Sequence, residues 1–272
     1  MQGYDNWPTD AGIRIRPGMK IKILGCSGGI GAERRTTSIL VGDHTLIDAG
    51  TGVCDLSLDE LRKIRDIYVT HSHLDHVGGI PLLVDTIFDV LDTPLTIHAL
   101  PQTIDALEQH MFNNVLWPDF TNIPTSGDGV LCYHRMSPGE PCVVDEGQIQ
   151  MLPVKHVIPA VGYLVQGADK SLVYSGDTTS NDVFWDALNR LDSLDYLLIE
   201  SAFGEVDLEI SKLAYHYCPS LLATDLARLQ HRPEVHITHL KPGSEDSIMQ
   251  ECRDAITDRT LHQLTSGTTF DI

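Results

Sequence analysis

Short apolar runs alternate along the chain with stretches of helical periodicity. In the first half, KIKILG, SILVG, TLIDAG and DIYVTH predict strands, and SLDELRKI predicts a helix. In the second half, VGYLVQG, SLVYSGD, YLLIES and EVHITHL predict strands, whereas NDVFWDALNRL, SLLATDLARL and SEDSIMQECRDA predict helices. Strands and helices mixed in this way favour an α/β fold in which two sheets lie between layers of helices.

The pattern contains neither an internal repeat nor an interdomain linker, so we expect residues 19–272 to form a single domain. The first predicted strand begins at Met19, and we interpret residues 1–18 as an N-terminal extension without fixed structure or as a misplaced start. Residues 80–150 are less regular and contain HMFNNVLWPDFTNIPTSGDG. We interpret this stretch as an insertion that forms a lid or pocket wall, with a plain surface excursion as the alternative.

Composition restricts the class of partner. The 272 residues include 38 acidic and 19 basic side chains, and the formal net charge of −19 repels polyanions such as duplex DNA or RNA. No apolar run approaches the roughly 20 residues that span a bilayer, and the N-terminus lacks the apolar segment of a signal peptide. We therefore expect a cytoplasmic protein without a membrane partner. The six cysteines form no C-x-x-C pair, which predicts reduced thiols.

The segment VTHSHLDHVGG places four metal-ligand side chains within six positions. On an extended segment His71 and His73 face one ion, while Asp75 and His76 turn toward a second position. Imidazole and carboxylate groups suit zinc, iron or manganese. A histidine-rich surface turn is the alternative. Three further residues of these types each end a predicted strand and favour the metal site: His156, Asp177 and His239.

The motif H-x-H-x-D-H, a distant histidine, and the segments YSGDT and ITHLKPG together resemble the dinuclear metallo-β-lactamase superfamily over about residues 19–260. The segments LIDAGTG, THSHLDHVGGIPLL, FNNVLWPDF, IPAVGYLV and IESAF are most similar to class II 3′,5′-cyclic-nucleotide phosphodiesterases. The resemblance implies an αββα sandwich, in which two mixed β-sheets are flanked by helices and the metals occupy one edge. It also implies a homodimer and two divalent ions, zinc by preference, with manganese or iron as alternatives.

The same resemblance implies roles for particular residues. The first ion is assigned to His71, His73 and His156, the second to Asp75, His76 and His239, with Asp177 as the bridge. Asp48 is expected to orient a ligand imidazole, with a turn-forming role as the alternative. Two ions about 3.5–4 Å apart suit in-line displacement at phosphorus by a bridging hydroxide. The catalytic set is then Asp75, a proton donor in His216, and Glu200, which orients His216.

Substrate contacts are expected in two places. Phe112, Trp117 and Phe120 offer faces on which a purine stacks, and Asn113 and Asn114 offer amides that read its edge. Core packing is the alternative for these aromatic residues. The glycine-rich GCSGGIGAERRTTS is expected to present hydroxyls and positive charge to an anion, unless its arginines are only solvated. The residues concerned are Thr36, Thr37, Ser38, Arg34 and Arg35.

The leading hypothesis is hydrolysis of a small nucleotide, 3′,5′-cAMP or cGMP, to the 5′-nucleotide. The nearest alternative is a tRNA 3′-processing endonuclease similar to ribonuclease Z, which the charge of −19 and the lack of a basic arm disfavour. A carboxylic ester, lactone or thioester hydrolase is a third reading. A non-hydrolytic di-iron redox or sensor protein is a fourth, and His73 disfavours it because the redox relatives tend to have glutamate there.

Overall fold

The computed structural model describes residues 18–125, 128–145 and 147–272. Except for Gly18, the proposed N-terminal extension therefore lies outside the described residues. The strands of the described part are, in chain order, β1 (Lys20–Gly25), β2 (Ser38–Val41), β3 (Thr45–Ala49), β4 (Asp66–Tyr68), β5 (Leu95–Ala99), β6 (Pro124–Thr125), β7 (Asp128–Gly129), β8 (Leu131–Arg135), β9 (Pro141–Val144), β10 (Gly147–Pro153), β11 (Val161–Gln166), β12 (Ser171–Tyr174), β13 (Tyr196–Glu200), β14 (Glu234–Thr238), β15 (Leu261–Gln263) and β16 (Thr269–Asp271).

Two sheets contain nearly all of these strands. The first sheet has the order β16-β1-β2-β3-β4-β5-β8, and the second has the order β15-β14-β13-β12-β11-β10-β9. In the first sheet β1 to β3 are antiparallel and β3, β4, β5 and β8 are parallel. In the second, β9 to β12 are antiparallel and β12 to β15 are parallel. Both sheets are therefore mixed, as expected.

The α-helices of eight or more residues lie on the outer faces of the two sheets. The α-helices of the described part are α1 (Leu58–Leu61), α2 (Leu74–Val77), α3 (Ile80–Ile87), α4 (Pro101–His110), α5 (Asp182–Asn189), α6 (Leu208–Ala214), α7 (Pro219–Leu226) and α8 (Glu245–Ala255). One apolar cluster joins α3 and α4 to the first sheet, and another joins α5, α7 and α8 to the second. A third cluster, which includes Ile23, Ile47, Tyr163 and Leu198, fills the space between the sheets. This layering confirms the αββα sandwich.

The strands and helices predicted from periodicity are all present, and four of them fix the position of the site. β4, β12 and β14 end at residues 68, 174 and 238, and β10 ends at Pro153. Polar residues begin within two positions of each of these ends. Because carboxyl ends of neighbouring parallel strands lie at one edge of a sheet, these residues gather where the two sheets meet.

Residues 80–150 require a correction. Much of this stretch is regular, since β5 and β8 extend the first sheet while β9 and β10 form the edge of the second. Its strands were missed because polar residues such as His98 interrupt the apolar pattern while lying buried beside Tyr68. These parts are thus structural elements of the sandwich and not a lid.

No helix within the described residues is both long enough and apolar enough to cross a membrane.

Candidate metal centre

The edge between the sheets brings together the seven residues that the sequence predicts as metal ligands. The extended segment after β4 carries His71 and His73, and α2 begins directly after His73. The first turn of this helix places Asp75 and His76 on another side of the segment. The other three follow their strands as His156 after β10, Asp177 after β12 and His239 after β14.

The first group consists of His71, His73, His156 and Asp177. The ligand atoms of these side chains lie within 4.8 Å of one another. His73 Nδ1 is 3.1 Å from His71 Nε2 and 3.3 Å from His156 Nε2. Two nitrogens bound tetrahedrally to zinc at about 2.0–2.1 Å lie about 3.3–3.4 Å apart. The spacing of these nitrogens is therefore close to that of a zinc site.

The second group consists of Asp75, His76, Asp177 and His239, with ligand atoms that are again within 4.8 Å of one another. Asp177 Oδ1 is 3.3 Å from His76 Nε2 and 3.4 Å from His239 Nδ1. Asp75 Oδ2 is 3.6 Å from His76 Nε2 and 3.7 Å from His239 Nε2. The second oxygen of Asp177, Oδ2, lies 3.6 Å from His71 Nε2 in the first group. Asp177 thus presents one oxygen to each group.

Hydrogen bonds outside the groups fix the tautomers of three histidines. His76 Nδ1 donates to Asp48 Oδ2 at 2.7 Å, and His156 Nδ1 donates to the carbonyl of Tyr215 at 3.0 Å. The hydroxyl of Thr70 gives its proton to Asp48, at 2.9 and 3.0 Å from the two oxygens, so it accepts from His71 Nδ1 at 3.0 Å. Each of the three rings therefore turns an Nε2 lone pair toward its group, as a metal ligand requires.

Unsatisfied atoms at the centre of the site support the same interpretation. Among the described residues, His76 Nε2, Asp177 Oδ1 and His239 Nδ1 are buried without a hydrogen-bond partner. Burial of a polar atom without a hydrogen-bond partner destabilises the folded protein. A metal ion bound at these atoms is one of the few explanations for their burial. The donor set of imidazole nitrogens and carboxylate oxygens suits zinc. The residues present therefore fit two divalent ions.

The protonation states agree with this fit. Burial lowers the pKa of His71 well below its ordinary value and lowers the pKa of His156 and His239 to about 4. Burial opposes charge on Asp177 as well, but the imidazoles of His239 and His76 hold its pKa well below the usual range. Burial would also lower the pKa of His76, yet the carboxylates of Asp177 and Asp48 raise it well above normal. His156 and His239 are thus neutral at neutral pH, and the raised pKa of His76 shows that the neighbouring carboxylates favour positive charge at the centre.

Asp48 holds two parts of the site in place through hydrogen bonds. Besides the bond from His76, Asp48 Oδ1 accepts from the backbone N–H of Thr70 at 2.8 Å. Its backbone is left-handed, with φ of 56°, a conformation that aspartate and asparagine tolerate better than most residues. The contribution of Thr70 was not foreseen from the sequence, although its position directly before His71 was a usable signal.

We expect Asp48→Asn to weaken zinc binding by about 10- to 100-fold, because it replaces an acceptor of His76 with an amide. Asparagine keeps the left-handed backbone preference, so the effect comes from the hydrogen bonds. Competition with a chromophoric chelator measures the affinity. Asp66→Asn is the matched control, since Asp66 Oδ1 pairs with His98 Nε2 at 2.8 Å outside the metal groups. Zinc affinity within twofold of the wild type in Asp48→Asn would contradict the assigned role.

His216 lies beside the metal groups and is held by Glu200. Its ring is 5.5 Å from that of His239, nearly parallel at 13°, and 5.0 Å from that of His156. His216 Nδ1 donates to Glu200 Oε1 at 2.7 Å. The fully buried Glu200 also accepts from the backbone N–H groups of Thr178, Ala202 and Tyr217 at 3.0–3.2 Å.

The contact with Glu200 fixes which ring nitrogen of His216 donates inward and also shifts its pKa. Burial would lower the pKa of His216, but the carboxylate of Glu200 raises it. Burial raises the pKa of Glu200 despite its contact with His216. The described residues offer His216 Nε2 no hydrogen bond, so this atom is available to a substrate. Glu200 is therefore placed to orient His216.

The aromatic segment predicted to bind a base lies elsewhere. Since β5 and β8 are parallel, α4 must return the chain to the amino ends of the strands, away from the metal edge. Phe112 and Phe120 are each 3% exposed and belong to the core of the first sheet, against which Trp117 also packs. The prediction of base stacking is therefore wrong for this segment, and core packing is the correct alternative.

The two amides of this segment organise its loop. Asn113 Oδ1 accepts from the backbone N–H groups of Val115 and Leu116 at 3.0 and 2.9 Å. Asn114 has φ of 61°, and its Oδ1 accepts from the N–H of Asp119 at 3.0 Å. These side chains serve as turn-forming groups, which corrects their prediction as readers of a base.

The residues predicted to bind an anion after the glycine-rich segment are also engaged or buried. Thr37 and Ser38 are 1% and 0% exposed, and the Thr36 hydroxyl accepts from the Thr51 N–H at 2.8 Å. Arg34 pairs with Glu245, and Arg35 Nε donates to Asp55 at 3.0 Å. Substrate contact by Thr37 and Ser38 is thus corrected, because both side chains are buried at the start of β2.

An αββα sandwich with clustered histidines and aspartates at one edge defines a metal-dependent hydrolase of the metallo-β-lactamase fold. The chain belongs to the β-lactamase superfamily, since residues 44–261 match the model described as "Beta-lactamase superfamily domain". Membership in this fold family implies divalent metal ions, for which the two groups described above are the candidate site.

The proteins to which this chain is similar include both phosphodiesterases and tRNA-processing enzymes. A probable 3′,5′-cyclic-nucleotide phosphodiesterase of Yersinia pestis is 29% identical over 238 residues, which is 78% of this chain and 65% of that protein. A ribonuclease Z of Haloarcula marismortui is 24% identical over 303 residues, which is 87% of this chain and 92% of that protein. The structure of unliganded yeast PDE1 superposes with a TM-score of 0.76 at 20% identity, covering 94% of this chain and 100% of that one. The chain thus spans just under two thirds of the length of the Yersinia relative. The likeness to the yeast structure shows that the two proteins share a fold.

Proposed function

We propose that the protein is a two-zinc phosphodiesterase that hydrolyses 3′,5′-cyclic nucleotides to 5′-nucleotides. The observation that carries the proposal is the placement of Asp177, whose two oxygens face two separate donor groups, with His216 beside both. A pair of ions shared by one carboxylate is the arrangement that suits in-line displacement at phosphorus.

The ligand roles follow the two groups. His71, His73 and His156 would hold one ion, Asp75, His76 and His239 would hold the other, and Asp177 would bind both. When bound, the two ions would activate water for attack on phosphorus and neutralise the charge that develops there. The protein's own part is to hold the ligands in the correct tautomers, through Asp48, Thr70 and the carbonyl of Tyr215.

Departure of the 3′-oxygen requires a proton because an alkoxide is a poor leaving group. His216 supplies that proton from Nε2, since Nδ1 is committed to Glu200 at 2.7 Å. Burial would lower the pKa of His216, but the Glu200 carboxylate raises it, which favours the protonated form that a proton donor requires. Glu200 makes four hydrogen bonds, so its carboxylate is fixed in place and in turn fixes the imidazole.

A small nucleotide is favoured over tRNA by the charge of the chain. A net charge of −19 repels a polyanion. A cyclic nucleotide carries a single negative charge, which the two bound ions would offset. The Yersinia relative supports the cyclic-nucleotide reading. Ribonuclease Z activity is the second candidate, because the Haloarcula relative aligns over more of both chains.

Incubation of the zinc-supplied protein with 3′,5′-cAMP, 3′,5′-cGMP, bis(p-nitrophenyl) phosphate and precursor tRNA tests the proposal. We expect 5′-nucleotide release, followed by chromatography, and at least about a hundredfold loss of turnover in Asp75→Ala. The reason for that loss is that Asp75 lies within 3.7 Å of both histidines of the second group. Metal analysis and circular dichroism establish that the variant is folded.

Other products would exclude the proposed substrate. Cleavage of tRNA without nucleotide release would replace the proposed function with ribonuclease Z activity. Cleavage of the chromogenic ester alone would retain a phosphodiesterase site with a different substrate. Full turnover in a folded Asp75→Ala protein would contradict the ligand role of Asp75.

A further inference from the structure

In the part of the chain that the structure describes, three lysines lack an acidic partner. Most lysines lie within 4.0 Å of an aspartate or glutamate oxygen. Within the described residues, Lys155, Lys170 and Lys241 have no such contact, and each lies over an aromatic ring instead. Because the net charge is −19, an ammonium group without a nearby carboxylate is conspicuous. Two of these three lysines border the metal groups.

Lys241 is held against the second metal group. Its Nζ donates to the carbonyl of Gly28 at 2.9 Å and lies 5.5 Å from the centre of the Phe203 ring. Gly28 packs directly on His239, since a Cβ on Gly28 would lie 3.2 Å from His239 Cδ2. The Phe203 ring is in turn 5.7 Å from that of His216. The ammonium group is thus fixed beside both a predicted ligand and the predicted proton donor.

Lys155 borders the first metal group. It directly precedes His156, and its Nζ lies 5.3 Å from the centre of the Tyr215 ring. The carbonyl of Tyr215 accepts from His156 Nδ1 at 3.0 Å, and Tyr215 directly precedes His216. Lys155 is exposed and makes no hydrogen bond through Nζ within the described residues. Its ring contact keeps the charge near the site without neutralising it.

Lys170 shows the same contact away from the site. Its Nζ lies 5.0 Å from the centre of the Tyr196 ring and donates to the Tyr196 hydroxyl at 2.7 Å. It precedes β12, which leads to Asp177, so the two residues are roughly 20 Å apart along the strand direction. Lys170 is therefore a matched control for a lysine held by an aromatic ring.

We propose that Lys155 and Lys241 bind the anionic oxygens of a phosphoryl group at the metal groups and thereby select phosphodiesters over neutral esters. The selection of phosphodiester substrates rests on the proposed function. The binding of a phosphate anion by the two lysines does not depend on it. The negative charge of the chain opposes the approach of any anion. Two ammonium groups that have no carboxylate partner among the described residues would offset this repulsion beside the site. A charge-assisted contact to phosphate is among the stronger polar interactions.

Calorimetric titration of inorganic phosphate into the zinc-loaded protein tests the inference without requiring turnover. We expect Lys241→Met and Lys155→Met each to weaken phosphate binding by about tenfold, because each removes one charged contact. Lys241→Arg should recover part of the affinity, and Lys170→Met should stay within twofold of the wild type. Zinc content should be unchanged in all variants.

Kinetics separate this inference from the proposed function. Km for bis(p-nitrophenyl) phosphate should rise about tenfold in both methionine variants, whereas hydrolysis of the neutral ester p-nitrophenyl acetate should be unaffected. Weakened phosphate binding in a protein that hydrolyses no cyclic nucleotide would remove the proposed substrate and leave the lysine assignment intact.

Two results would overturn the inference. Wild-type phosphate affinity in zinc-loaded Lys155→Met and Lys241→Met would show that neither lysine contacts the anion. Loss of zinc from Lys241→Met would show that Lys241 holds the Gly28 segment together and would overturn its assignment to the anion. Phosphate binding by Lys155→Met, whose Nζ makes no hydrogen bond within the described residues, tests the assignment of Lys155 separately.

Discussion

Replacing Asp177 with asparagine is expected to remove both metal ions and to lower phosphodiester turnover by at least about a thousandfold. Asp177 is the residue that the two donor groups share, with Oδ2 3.6 Å from His71 Nε2 and Oδ1 3.3 Å from His76 Nε2. Asparagine has nearly the same shape but removes the negative charge and turns one oxygen into a donor. One of the two groups then faces an amide N–H₂ instead of a ligand.

Metal analysis by mass spectrometry, together with kcat/Km for the best phosphodiester, measures both effects. Asp225→Asn is the control, because Asp225 is also a buried carboxylate but bonds to Ser180 and Tyr217 outside the metal groups. We expect the control to retain both ions. Two tightly bound ions per chain in Asp177→Asn would show that the two groups are held independently, and the assignment of a shared ligand would be wrong.

Part of the site could be predicted from the sequence because its ligands have local signals. Four of the candidate ligands lie in one short segment, namely His71, His73, Asp75 and His76. The change from extended chain to helix after His73 directs the first two and the last two side chains toward different groups. The other three candidate ligands each follow an apolar strand, and parallel strands bring such positions to one edge. The fold could be predicted for the same reason, since its central strands are continuous apolar runs.

Other features depend on information that residue types do not carry. The position of Phe112 depends on the parallel pairing of β5 with β8, which the local sequence does not specify. Strand β5 itself was missed because His98 lies between the sheets, stacked on Tyr68 at 4.2 Å. The partner of His156 is the backbone carbonyl of Tyr215, whose left-handed φ of 56° turns the chain toward His216. Such backbone contacts become visible only once the chain is folded.

Replacing His216 with alanine should preserve both ions and slow cyclic-nucleotide hydrolysis by about 10²- to 10⁴-fold, the usual contribution of a general acid. The ions should remain because His216 belongs to neither donor group, although its ring is 5.0 Å from that of His156. The loss should depend on the leaving group. The 3′-oxygen of a nucleotide leaves as an alkoxide unless it is protonated, whereas p-nitrophenolate is weakly basic and leaves without a proton.

The ratio of the two rates is therefore the decisive measurement. We expect His216→Ala to depress hydrolysis of 3′,5′-cAMP far more than that of bis(p-nitrophenyl) phosphate, with zinc content measured in the same sample. His262→Ala, which removes an exposed histidine of β15, should change neither rate. An equal loss with both substrates would indicate that His216 positions the site rather than donating a proton, and loss of zinc would indicate a structural role. Because the proposed effect of Glu200 on the reaction is exerted through His216, Glu200→Gln should add little to the loss of turnover when it is combined with His216→Ala.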